Sequence, residues 1–279
     1  MVYQGHVEST TGGPDTGKQV EAAARHASNS RPARALARSG LVASGVVHIL
    51  IGAITISVAL GLRGRADQSG ALDAVADVPG GTIVLWIAVV SLLGLAVWQW
   101  TGPISPRPQR MVSTKIRDRF KSVGFVAVAL AALVFAAGGH SDSAKSTHTV
   151  TSWLIQLPGG IFVLMAVGIA VGSVGVTFAY RGISRHFRED IHPPAGPAGV
   201  AVLALGVVGY AAKGVALMII GVLFIGGAFL GDPSWTTGLD GALRYLTTLP
   251  TGVWPLFFIA GGFIAHGLYQ GSRAVYMRR

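Results

Sequence analysis

The chain has 279 residues, of which 51% are apolar and only 12% charged, with 39 glycines and no cysteine. An average soluble domain is about 25% charged, so this composition excludes an ordinary water-facing surface and suits glycine-rich helices packed in lipid. The formal charge of +10 comes without the interleaved aromatics of a nucleic-acid surface, so nucleic acid is not expected as a partner. The missing cysteines exclude disulfides, thiolate catalysis and Cys-ligated metal.

Residues 1–35 are polar and rich in small residues, with a Thr-Thr-Gly-Gly-Pro run from Thr10 to Pro14. Such a segment buries too little apolar surface to fold alone, so a disordered cytoplasmic tail is expected there. Leu41–Leu60 is an apolar stretch of 20 residues. It is longer than the core of a signal peptide, about 7–15 residues, and reads as a retained helix. Five further stretches are long enough, or nearly so, for the roughly 20 residues that a span needs. They are Thr82–Trp100, Ser122–Gly138, Gly160–Tyr180, Leu205–Leu230 and Val253–Gln270. The expected fold is therefore an all-α integral membrane protein with six transmembrane helices.

Charge sets the orientation. With six spans, the tail, second loop, fourth loop and C-terminus share one side and carry 17 of the 22 Lys and Arg residues. The other side carries Arg63, Arg65, Lys145 and Arg244, and Lys213 lies within a span. Basic residues accumulate on the cytoplasmic side, so both termini are expected in the cytoplasm of a bacterial plasma membrane, facing anionic inner-leaflet lipids. Trp98, Trp100, Tyr180 and Tyr269 sit near inner span ends, and Trp153, Trp235 and Trp254 near outer ones, as interfacial aromatics do.

The spans repeat as three tandem parallel hairpins, over residues 36–104, 115–186 and 200–273. A shift of 79 residues carries Gly45 onto Gly124 and Pro79-Gly80-Gly81 onto Pro158-Gly159-Gly160. A shift of 169 carries Gly40, Gly45 and Gly52 onto Gly209, Gly214 and Gly221. Two more residues bring Pro79 and Gly81 onto Pro250 and Gly252. The second copy has lost two of the three glycines, with Arg119 and Ala131 in their places. Parallel copies imply a pseudo-threefold bundle about an axis along the membrane normal. Apolar pairs precede each proline: Val75 and Val78, Leu154 and Leu157, Leu246 and Leu249. That spacing predicts a short helix on the outer interface, stopped by Pro and followed by a glycine turn. The Gly209-Tyr210-Ala211-Ala212-Lys213-Gly214-Val215 segment, the Gln68-Ser69-Gly70-Ala71-Leu72 segment and the Pro-x-Gly turns resemble the Domain of Unknown Function 1206 family over roughly residues 36–273. The family comprises bacterial, mainly actinobacterial, membrane proteins with three tandem copies. The resemblance implies this architecture and no particular activity. The family's basic residue before the second glycine corresponds to Lys213; copies one and two have Ser44 and Val123 there.

Lys213 and His48 are the candidate functional or lipid-contacting residues, because ionisable groups inside spans are costly. Lys213 has two routes out of desolvation: its stem can snorkel to inner-leaflet phosphates, the route favoured here, or it can bond within the bundle to a residue such as His48. His266 reads as a structural histidine near the inner end of the last span. Gly40, Gly45, Gly52, Gly209, Gly214 and Gly221 read as helix-packing positions. Pro79, Gly81, Pro158, Gly160, Pro250 and Gly252 read as loop turns. His140 and His148 share a loop with Asp142 at a spacing too weak to indicate metal, and His186 and His192 flank Glu189-Asp190 on solvated surface. No catalytic motif, cofactor fingerprint or metal site is read from the sequence, and no carboxylate lies inside a span. The sequence thus points to a structural, regulatory or accessory membrane protein, not an enzyme, whose partners are the lipid bilayer and a second membrane protein. The alternative is a small solute or ion transporter or channel with its path along the repeat axis.

Overall fold

The computed structural model describes residues 31–101 and 111–276, and these are all-helical, with nine α-helices and no strands among them. Six are long: α1 (Arg31–Ala59), α3 (Gly81–Thr101), α4 (Met111–Ala136), α6 (Gly160–Ile183), α7 (Pro197–Leu230) and α9 (Val253–Tyr276). Three are short: α2 (Gln68–Ala76), α5 (Ser143–Gln156) and α8 (Gly238–Thr247). The polar run at Thr10 to Pro14, the loop with Arg107 and Arg110, and the last three residues lie outside the described residues. So do the side chains of Trp98 and Trp100.

Three stretches are apolar and long enough to cross a membrane: Ala35–Ala59, Gly160–Ile183 and Pro197–Leu230. Gly81–Val97 and Val123–Ala136 are shorter apolar helices. The helices outrun the apolar stretches that announce them. α1 is helical from the first described residue, Arg31, ten residues before Leu41, and its Arg-Ala-Leu-Ala-Arg run consists of strong helix formers. The tail expected over 1–35 therefore gives way to helix by residue 31. α7 starts at Pro197, whose fixed φ suits the first helical turn.

Packing of the long helices follows the glycines. On α6 and α7, Gly168 and Gly175 meet Gly221 and Gly214: a Cβ on Gly214 would stand 2.7 Å from the carbonyl oxygen of Gly175, and one on Gly221 2.7 Å from that of Gly168. The α1–α9 pair repeats the pattern, with Gly45 set against Gly267 and Gly52 against Ala260, each again 2.7 Å from a carbonyl oxygen. Gly40 abuts Ser91 and Leu95 of α3, and Gly209 abuts the backbone of His266 on α9. All six glycines of the predicted seam are thus at close helix contacts. In the middle copy Gly124 meets nothing within 4 Å. Each remaining neighbour pair, α1–α3, α3–α4 and α7–α9, also packs along its length, whereas α4 and α6 hardly touch among the described residues.

The short helices cover one end of the long ones and hold one another by polar contacts. Asp67 caps α2 by accepting from the Gly70 amide at 2.8 Å, and Asp142 caps α5 by accepting from Lys145 at 2.9 Å. The Ala66 amide donates to Asp240 of α8 at 2.8 Å, and Arg244 of α8 donates to the Gly64 carbonyl. Arg65 pairs with Asp73 and, at 3.4 Å, with Asp142, while Ser69 bonds Ser143. The glycine closing each turn is fixed by sterics, since a Cβ on Gly81, Gly160 or Gly252 would collide with the carbonyl of Val75, Leu154 or Leu246. The residue before it takes a left-handed φ at Gly80 and Gly159 (81° and 78°). The apolar pairs before each proline split. Val75, Leu154 and Leu246 are buried or half-buried, but Val78, Leu157 and Leu249 are exposed. The helices end at Ala76, Gln156 and Thr247, so the second member of each pair lies in the turn and not on the helix face.

Two outcomes are expected. Gly45→Leu and Gly214→Leu should each lower thermal stability in detergent by at least the 1–3 kcal/mol typical of overpacking, whereas Gly124→Leu should melt like the parent. Separately, burial and the nearby Asp240 carboxylate hold the Asp67 carboxyl above the usual carboxylate range, against the opposing Gly70 N–H bond. A raised value in the fold favours the protonated form, so this contribution is full below the ordinary carboxylate value and is lost as pH rises through the raised one. Asn can still accept the Gly70 bond. Asp67→Asn should therefore match or exceed the parent melting temperature at pH 7.5 and show no advantage at pH 4.

Candidate functional site

α1, α7 and α9 each place a polar side chain where their glycine contacts bring the backbones closest. α1 offers His48, one turn beyond Ser44; α7 offers Lys213, beside Gly214; α9 offers His266 and Gln270, one turn apart, on either side of Gly267. Small neighbours leave room for these side chains between the helices. Lys213 Nζ lies 2.9 Å from His48 Nε2, and His48 Nδ1 lies 2.7 Å from the Ser44 carbonyl oxygen. A carbonyl oxygen only accepts, so Nδ1 carries the proton and Nε2 offers its lone pair. The Lys213 ammonium donates into that lone pair. Its Nζ also lies 5.3 Å from the Phe178 ring centre on α6, a cation–π distance.

His266 completes the group. Its ring centre is 4.9 Å from that of His48 and 5.2 Å from that of Tyr210. It is 3% exposed, and its Nδ1 has no hydrogen-bond partner; nor does Oε1 of Gln270, which is 6% exposed. Buried polar atoms left unpaired each cost about 1–3 kcal/mol. Arg273, one further turn along α9, is also buried.

An aromatic stack closes this cluster at the end opposite the short helices. Phe187 is fully buried, lies parallel to Tyr210 with centres 5.4 Å apart, and meets Tyr269 edge-on at 5.2 Å. It sits over Gly206, where a Cβ would strike its ring. The His192 amide donates to the Tyr276 carbonyl at 2.9 Å and anchors the loop behind it. His186 and His192 themselves are exposed. Towards the short helices His140, in the loop before α5, faces Asp73 at 3.2 Å while His148, on α5, lies beside Ser152, so these two imidazoles are engaged separately.

The family described as Domain of Unknown Function (DUF1206) matches the chain three times, over residues 39–101, 120–185 and 208–277. The chain belongs to the DUF1206 family. Among curated proteins it is similar to the uncharacterised protein YxxB of Bacillus subtilis (strain 168), 26% identical over 246 residues, covering 86% of this chain and 89% of that one. A shorter similarity, 30% over 129 residues, is to ABC transporter B family member 15 of Arabidopsis thaliana. It covers 45% of this chain and only 10% of the transporter. No solved structure matches.

Within this DUF1206 protein the two candidates from the sequence, Lys213 and His48, are brought together. Lys213 takes the second of its two routes and turns into the bundle instead of snorkelling, because His48 supplies an acceptor at bonding distance. Gln270, Phe187 and Tyr210 were not legible as partners. Gln270 has only its i, i+4 spacing from His266 to mark it, and Phe187 falls in a loop that reads as solvated.

His48→Ala should destabilise more than Lys213→Met. The first leaves a half-buried ammonium without its acceptor, the second only a neutral nitrogen without its donor. Each single variant is expected to cost more than about 1 kcal/mol, the scale of a hydrogen bond to a charge. The double variant should cost less than the sum of the two. Thermal unfolding of the purified protein in mild detergent measures all three.

Proposed function

We propose that this protein is a six-span plasma-membrane protein of three parallel hairpins in a ring, that it has both termini in the cytoplasm, and that it works as an accessory or regulatory binding partner within the bilayer, neither conducting solute nor catalysing. The ring order α1–α3–α4–α6–α7–α9 fits the contacts: the second long helix of each hairpin packs on the first of the next, and α9 returns to α1. The equivalence of the α1–α9 and α6–α7 glycine contacts supports a repeat axis through the ring. The outward faces support lipid as the solvent. α3 leaves Ile83, Val84, Ile87 and Val90 uncovered, and α6 leaves Phe162, Ile169 and Val176, all more than half exposed. An apolar surface of that extent is unfavourable in water.

The observation that carries the functional reading is the filled interior. Val47, Ile51 and Val58 of α1, Leu85 of α3, Phe135 of α4, Ala216 of α7 and Phe263 of α9 form one apolar cluster with Leu72 and Leu243 of the short helices. Water and ions cross such a packed apolar region only at great cost. The polar cluster around Lys213 is the feature that favours the second reading, a transporter with its site near mid-bundle. The apolar packing on one side of it and the Phe187 stack on the other weigh against a continuous path.

Single cysteines test the topology, since the chain has none of its own. Ser146→Cys and Ser234→Cys, both at exposed positions, should react with an impermeant thiol reagent in intact cells, and Ser184→Cys, also exposed, should react only after lysis. The reverse pattern would overturn the orientation. The purified protein in liposomes should leave chloride, potassium and proton gradients intact and should co-purify with a stoichiometric membrane partner. Specific flux would favour the transporter reading.

A further inference from the structure

The strongest unexplained feature is the charge on Lys213. The chain has 12 Asp and Glu residues, and none falls in α1, α3, α6, α7 or α9. The only hydrogen-bond acceptor on the ammonium among the described residues is a neutral imidazole nitrogen. That bond uses one of its three N–H donors. A charge in a low-dielectric interior requires a counter-charge or a strong set of acceptors. Two further buried groups have nothing to bond: Nδ1 of His266, whose ring centre lies 4.9 Å from that of His48, and Oε1 of Gln270, one turn further along α9. The amide oxygen accepts only, so its missing partner is a donor.

These observations together describe a ligand that offers acceptor oxygens and a negative charge to Lys213 and an O–H to Gln270. A halide has no O–H, and a fully ionised carboxylate or sulfate has none either. A phosphate monoanion has both. We propose that the interior of the bundle at Lys213, His266 and Gln270 binds a protonated phosphate group, either free or at the head of a lipid monoester. The proposal rests on the membrane-bundle reading and gives that bundle its binding partner. His48 acts as the positioning residue: held by the Ser44 carbonyl, it fixes one N–H of the ammonium and so aims the other two.

The test is titration calorimetry of the purified full chain in dodecyl maltoside with inorganic phosphate, with sodium sulfate, and with dioleoyl phosphatidic acid in mixed micelles against a phosphatidylcholine control. Saturable binding of one inorganic phosphate per chain, tighter than sulfate, supports the site with a free anion. Binding of phosphatidic acid alone supports it with a lipid source. In either case Lys213→Met should weaken binding at least tenfold and Lys213→Arg much less. Where Lys213→Met does not fold, Gln270→Met serves: it keeps the charge, removes the acceptor, and should narrow the preference for phosphate over sulfate. Binding of neither probe, or equal binding by parent and Lys213→Met, overturns the proposal. Release of the chain from membranes by alkaline carbonate without detergent would instead sink the bundle reading, whatever the titration gives.

Discussion

The structure depends on how closely two helical backbones can approach. In lipid, apolar side chains gain little by leaving one hydrocarbon for another, so association must come from van der Waals contact and weak polar contact between backbones. At the α6–α7 and α1–α9 contacts the glycines let a carbonyl oxygen of one helix come within 2.7 Å of where the other would place a Cβ. That distance is inaccessible to any other residue, and it admits Cα–H···O contacts across the pair. The polar cluster is a by-product of the same constraint. His48 and Lys213 can meet across the interior because Gly45, Gly214 and Gly267 keep α1, α7 and their neighbours close, and the ammonium then finds an imidazole already turned by the Ser44 carbonyl.

The two ends of the bundle are closed by different physics. At one end three short helices interlock through charged and hydroxyl groups, such as Arg65 with Asp73 and Ser69 with Ser143, which requires that these groups remain near water to be hydrated when they part. At the other end closure is aromatic, with Phe187 pressed between Tyr210 and Tyr269. The first kind of closure responds to protonation and salt, and the second to neither. The titrating carboxyl of Asp67 lies in the first.

Much of this was legible in the sequence, for reasons that differ by residue. The spacing of Gly45 and Gly52, repeated at Gly214 and Gly221, marked the packing faces because two helical turns return to the same side. The Pro-x-Gly turns marked the ends of the short helices because Pro and Gly act locally. The start of α7 lies eight residues before its apolar stretch, at Pro197 against Leu205, since an apolar stretch reports where lipid solvates a helix and not where its hydrogen-bond ladder begins. Lys213 was expected to snorkel because a sequence shows the length of its stem and not the acceptor 2.9 Å away on another helix. Phe187 was invisible for a related reason: its burial depends on Gly206, in a different helix, leaving space for its ring.

One contact bears on how the protein is made. The α1–α9 seam joins the first long helix of the chain to the last, Gly45 against Gly267. On the proposed six-span reading, membrane helices enter the bilayer in the order of synthesis, so α1 would wait with its glycine face towards lipid until α9 has emerged. During that interval the tightest surface of the first hairpin has no protein neighbour, and His48 has no ammonium to accept from, because Lys213 arrives only with α7. On that reading ring closure would be the last event of biogenesis, and it would carry the largest loop entropy among the contacts of the long helices. A chain truncated within α9 would insert every earlier helix and still be left an open chain of hairpins, exposed to membrane quality control.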